Sequence, residues 1–72
     1  PVHEVRLGTV KASIWENTYG ENTRHTVTFL RSYKDKEGDQ WKETHSFGRD
    51  DLPKLALVAQ KAYEWIFTSA AE

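Results

Sequence analysis

Few side chains in this 72-residue chain have types and spacings that would support covalent chemistry. A serine nucleophile needs a nearby base and a sharp turn to present its hydroxyl. Ser13, Ser32, Ser46 and Ser69 stand in no such glycine-flanked context. No glycine-rich loop opens the one helical segment, so phosphate capture of the P-loop kind is not expected. His3, His25 and His45 are scattered. His25 and His45 would meet only across a hairpin, and two imidazoles without a third ligand make a weak metal site. Asp50 and Asp51 would serve as paired acids, but a helix cap explains them with fewer assumptions. There is no cysteine, which excludes disulfides and thiolate metal sites. The chain reads as a non-enzyme without metal or cofactor.

Binding chemistry is better represented. Cations and aromatic rings interleave along the segments with strand character: Lys11 and Trp15 in the first, Arg31, Tyr33 and Lys34 in the second, Trp41 and Lys42 in the third. Rings stack on unpaired bases and cations follow phosphates, so such a surface suits a single nucleic-acid strand. Cross-strand packing competes as an explanation for Tyr33 and Trp41, which would close a charged hairpin. Trp15 has the stronger functional case, because its in-phase neighbours are Lys11 and Ser13 rather than apolar residues.

Three strands and one helix must position these groups. Residues 5–16 alternate with period two, with Val10, Ala12 and Ile14 on one face and Lys11, Ser13 and Trp15 on the other. Gly8 marks a bend or bulge within that run. Residues 17–24 read as a turn, and residues 25–34 as a second strand whose alternation breaks at Leu30, where a bulge is expected. A charged turn with Gly38 leads to a third strand over residues 40–47. On it, Lys42, Thr44 and Ser46 share the outer face and Phe47 reaches the core. Ile14, Phe29, Phe47 and Leu55 are the expected centre of the core.

The helix spans about residues 51–68, with Pro53 in its first turn and Asp50 and Asp51 at its positive end. At 100° per residue, Leu52, Leu55, Ala56, Ala59, Ala62, Tyr63 and Ile66 form one stripe. Val58 and Trp65 widen it beyond what one sheet requires. A chain of this length buries only about 60% of its unfolded surface, so association with a second copy is a common remedy. Val58, Ala62 and Trp65 are therefore the expected dimer contact. The expected class is α+β: an antiparallel three- or four-stranded curved meander followed by one C-terminal helix, forming a single domain over residues 1–72.

No apolar run approaches the length of a membrane span or a signal-peptide core, so no membrane partner is expected. A cytoplasmic location is the expectation, with association to the nucleoid as an open alternative. Pro1 is not an initiator residue, so whether the natural chain extends beyond it is not fixed by the sequence. The formal net charge of -1 gives no general attraction for phosphates. Any such attraction must arise from charge concentrated on one face.

The segment from Val5 through the helix resembles the DNA-binding domain of the transcriptional coactivator p15, or positive cofactor four, family. The resemblance is carried by VRLGTVKASIW, by Arg31-Ser32-Tyr33 closing the second strand, and by the turn Asp35-Lys36-Glu37-Gly38. A lysine-bearing strand and a short polar link into the last helix follow. It covers nearly all of residues 5–67 and is a pattern of spacing rather than a signature motif. It implies a dimer whose sheets form a groove for single-stranded DNA or unwound duplex, with Arg31, Tyr33 and Lys42 as carried-over contact positions. The chain departs from the family in its overall charge, in lacking a Ser- and Lys-rich tail, and in its alternation around Leu30.

The resulting expectation is a homodimeric single-stranded nucleic-acid-binding protein of bacterial or phage type. DNA is favoured over RNA, and the setting is transcription, replication or repair. The rival is a small dimeric module whose open sheet face binds a protein. The position of the acids, particularly Glu16 and Glu43, separates the two readings.

Overall fold

A computed structural model describes residues 1–70. Four strands precede one long helix: β1 (His3–Leu7), β2 (Val10–Tyr19), β3 (Asn22–Lys34), β4 (Trp41–Thr44), a single 3-10 turn (Arg49–Asp51) and α1 (Leu52–Ala70). The strands form one antiparallel sheet in the order β1-β2-β3-β4. The expected class is thus observed, in its four-stranded form.

The expected first strand is two strands. Gly8 has φ 63°, and Leu7 pairs with Val10, so Gly8 and Thr9 form a two-residue hairpin turn. This folding-back places His3, Val5 and Leu7 on the face of Val10, Ala12 and Ile14, whereas unbroken alternation would have put them opposite. Gly20, at φ 62°, turns the second hairpin in the same way, between Tyr19 and Asn22. The polar stretch read as a long turn is therefore mostly strand, with Thr18 opposite Thr23 and Asn17 opposite Arg24. β3 pairs with β2 without interruption through Phe29, Leu30 and Arg31, so the expected bulge is absent. Leu30 instead lies on the face away from the helix, opposite Lys11.

Among the described residues, five hydrophobic side chains form the buried core: Val10, Ala12 and Ile14 from β2, Val58 and Ala62 from α1. Phe29, Phe47 and Leu55 flank this centre together with Val5, Val27, Trp65 and Ile66. Of the four expected core residues, only Ile14 is fully buried. Phe47 lies beyond the end of β4 rather than in a strand, and its segment is tied down by polar bonds. His45 Nδ1 is 2.8 Å from the Phe29 carbonyl, and Arg31 Nε donates to the Ser46 carbonyl at 3.0 Å.

Val58 and Ala62, expected at a dimer contact, are instead buried against the sheet of the same chain, which leaves neither side chain exposed. Trp65 is half-buried and stacks on His3, with ring centroids 4.7 Å apart and planes 3° from parallel. The helix turns a neighbouring stripe outward: Leu52, Ala56, Tyr63 and Phe67 are exposed, and the last two retain 64% and 63% of their accessible surface. The apolar arc is as wide as expected, but its sheet-facing half is centred on Val58 and Ala62 rather than on Ala59 and Tyr63.

Helix entry follows the expected use of acids in part. The Gly48 N–H donates to the Asp51 carboxylate at 2.9 Å, and the Asp51 N–H donates to the Gly48 carbonyl at 3.0 Å. Asp50 pairs with Arg49 instead. No helix among the described residues is long and apolar enough to cross a membrane.

Candidate nucleic-acid interface

Directly paired residues of an antiparallel sheet point to the same side, so the register fixes what the face away from α1 presents. From β1 come Glu4 and Arg6, and from β2 Lys11, Ser13, Trp15, Asn17 and Tyr19. β3 adds Arg24, Thr26, Thr28, Leu30, Ser32 and Lys34; β4 adds Trp41 and Glu43. Among the described residues α1 lies on the other side, packed on Val10, Ala12 and Ile14, so this face is open. Its centre is polar and ordered. Trp15 Nε1–H donates to Thr28 Oγ1 at 3.0 Å, which fixes the indole while leaving 42% of the residue accessible. Ser13 is buried between its partners Glu4 and Thr28 and contacts the Glu4 carboxylate at 3.4 Å.

Four of the expected contact residues, Lys11, Trp15, Lys34 and Trp41, share this face. Arg31, Tyr33 and Lys42 do not. Arg31 pairs with Val10 and Thr44, and Tyr33 with Lys42, which places all three on the helix side. They cannot join Lys11 and Trp15 on one surface. The cause is parity: Arg31 and Lys34 are three residues apart in a regular strand and so point to opposite sides. Thr44 joins Lys42 there, so the strand face read as outer is the helix-side one.

Arg31 holds the fold together. Besides bonding Ser46, its Nε lies 3.4 Å from Asp51 Oδ2, the carboxylate that caps the Gly48 N–H. One guanidinium thus links the end of β3 to the entry of α1, while stacking at 5.8 Å over Tyr33. Replacing Arg31 by alanine should lower stability by about 1–2 kcal/mol and leave oligonucleotide affinity unchanged, since it removes charge-assisted bonds in a partly exposed setting. Urea unfolding alongside a binding titration checks this; a loss of affinity with full stability would contradict it.

The expected contact lysines are also engaged. Lys34 Nζ is 3.0 Å from Asp39, and Lys42 Nζ is 3.0 Å from Asp35, so the charged loop between β3 and β4 is clasped from both sides. The Lys42 contact, helped by the Glu37 and Lys36 N–H groups, holds the Asp35 carboxyl below its ordinary value. Its contribution to stability is complete above the unfolded-state pKa and lost as pH falls through the lowered folded value. Acidification into that range should loosen this loop before the sheet. Amide exchange in residues 35–40 should then rise ahead of exchange in β2, and simultaneous rises would contradict the expectation.

Lys11 is drawn to Glu4, with Nζ 3.3 Å from its carboxylate, and only 16% of the Lys11 side chain remains accessible. The most available cations on the open face were missed in the sequence: Arg6, hidden by reading β1 and β2 as one strand, and Arg24, hidden by reading its strand as a turn. Neither has an acidic partner among the described residues. Exposed Tyr19 extends the aromatic series to the hairpin tip.

His25 and His45 are not brought together. His25 pairs with Glu16 at 3.4 Å, whereas the His45 ring meets the Phe29 carbonyl, four residues or about 13 Å away along β3 at a strand rise of about 3.3 Å. Among the described residues no group of His, Cys, Asp or Glu is arranged to hold a metal ion. No protein-family model, no curated protein and no solved structure matches this chain.

Proposed function

We propose that this chain is a homodimeric single-stranded nucleic-acid-binding protein, with DNA favoured, acting in the cytoplasm in transcription, replication or repair. The observation that carries the reading is the composition of the open face. Trp15 and Trp41 stand exposed at separate points on it, with Arg6, Lys11, Arg24 and Lys34 distributed around them. Rings that tolerate any base, joined to cations that track a backbone, are the elements of strand binding without sequence preference. Most acids lie elsewhere: Glu16 is on the helix side, Asp35, Glu37 and Asp39 are in a loop, and Glu64 is on α1. The resemblance to the p15 coactivator family supports the same reading.

Dimerisation rests on the outward stripe of Leu52, Ala56, Tyr63 and Phe67. It lies beside the core-facing stripe, on a chain with no cysteine and, among the described residues, a core of five buried hydrophobic side chains. A two-fold contact of this helix with its own copy would cover the stripe in both protomers at once. The presence of Glu4 and Glu43 on the open face favours the rival protein-binding reading. Titration with labelled single- and double-stranded oligonucleotides at two salt concentrations separates the two. Tighter, salt-sensitive binding of single strands is expected. Undetectable binding at low salt would put the protein-binding reading ahead.

A further inference from the structure

We propose that the recess between the first hairpin turn and β4 is a subsite for one nucleotide, which seats a base against Trp41 and its phosphate on Arg6. The proposal rests on the nucleic-acid reading and locates where one unit of the strand is held. The recess, of about 370 Å³, opens on the face away from α1 and is lined by Arg6, Gly8, Thr9, Ser32 and Trp41. These residues come from β1, the first turn, β3 and β4, so the sheet register rather than a mobile loop sets their spacing. The Ser32 N–H donates to the Thr9 carbonyl at 2.8 Å and ties the floor of the recess together.

Each wall has a chemical preference. Trp41 retains 65% of its accessible surface, so its indole is poorly used for packing and its face is free for stacking. Arg6 sits across from Lys11, whose charge Glu4 already answers, and has no acidic partner of its own among the described residues. A planar fork of donors beside an aromatic face suits a phosphodiester next to a base. Ser32 adds a hydroxyl that can donate or accept. Glu43, paired with Ser32 on the same face, supplies negative charge near the recess. That charge disfavours a polyphosphate, so a single nucleotide within a strand fits better than a nucleoside triphosphate.

The test uses the full chain labelled with nitrogen-15, following Trp indole and Arg Nε–H signals. A short single-stranded oligothymidylate should shift the Trp41 indole, Arg6 Nε–H, and the Gly8, Thr9 and Ser32 amides. An abasic deoxyribose-phosphate oligomer of equal length should shift Arg6 and leave the Trp41 indole in place. Trp41→Ala should weaken oligothymidylate binding about tenfold with an unchanged salt slope. Arg6→Gln should lower the salt slope by about 0.7. Both residues are exposed, and the amide spectrum of each variant shows directly whether the fold is retained. If oligothymidylate binds and shifts only Trp15 and the β2–β3 tip, the subsite is overturned while the open-face reading stands. If it does not bind even at low salt, both are overturned.

Discussion

A Val58→Asp variant should fail to fold, whereas a Tyr63→Ser, Phe67→Ser double variant should fold as a monomer. Val58 has 0% of its surface accessible and lies in the cluster of Val10, Ala12 and Ile14. A carboxylate placed there has no partner, and burying it costs several kcal/mol. A domain of this size has a total stability of about 4–11 kcal/mol, so little or none would remain. Ile14→Ala gives a graded version, with an expected loss of about 2–5 kcal/mol in urea unfolding. Tyr63 and Phe67 have the opposite character. Their rings stack on each other, with centroids 6.0 Å apart, on the side of the helix turned away from the sheet. Removing them should halve the sedimentation mass and lower the midpoint only through lost association. A folded Val58→Asp protein would show that the helix face is wrongly assigned, and a monomeric parent would remove the dimer.

The helix was legible because Pro53, the flanking acids and a period of 3.6 agree on it. Which part of its apolar arc meets the sheet was not. Leu52, Ala56, Tyr63 and Phe67 adjoin Leu55, Val58, Ala62 and Ile66 around the helix, and hydrophobicity alone does not divide a continuous arc into covered and uncovered halves. The first hairpin was obscured for a similar reason. Leu7 and Val10 flank two small residues, and the run stays plausible as one strand until Gly8 is given a positive φ. Strand parity then decided the binding residues. Lys11 and Trp15 kept their predicted face because β2 alternates regularly. Arg31 and Tyr33 lost theirs because β3 is unbulged, and Lys42 lost its own because Phe47, which set the phase of its strand, lies beyond the end of β4. The partners that hold Arg31, Ser46 and Asp51, are distant in sequence, and no local pattern links them to it.

The p15-like expectation survives as a proposal about a different set of contacts. A face using Arg6, Lys11, Arg24 and Lys34 with Trp15 and Trp41 retains the chemistry assigned to the strands but moves its cations toward β1 and the hairpin tip. Charge on that face is tempered: Lys11 and Lys34 each have an acidic neighbour. Arg6 and Arg24 have no acidic partner among the described residues, whereas Lys11 and Lys34 add to polyanion binding only to the extent that the strand displaces those carboxylates.

That competition yields two opposite expected effects on single-strand affinity. Trp15→Ala should weaken binding by about 1–3 kcal/mol, or about 5- to 150-fold, with almost no change in salt dependence, because stacking releases no counterions. The effect should fall in the upper part of that range, since the Thr28 hydroxyl already holds the indole in place and little side-chain freedom is lost on binding. Glu4→Gln should act the other way. Its carboxylate is 3.3 Å from Lys11 Nζ, and removing the charge leaves Lys11 free to meet a phosphate. Affinity should rise, and the slope of log K against log salt should steepen by up to about 0.7, the value for one added phosphate contact on a single strand. Glu4 lies on an edge strand and is itself exposed, so the change should leave the unfolding midpoint nearly unaltered. Titration of both variants with one single-stranded oligonucleotide at several salt concentrations reads the two quantities together. A Trp15→Ala protein with parental affinity, or a Glu4→Gln protein with weaker binding, would mean that the strand does not cross the centre of this face.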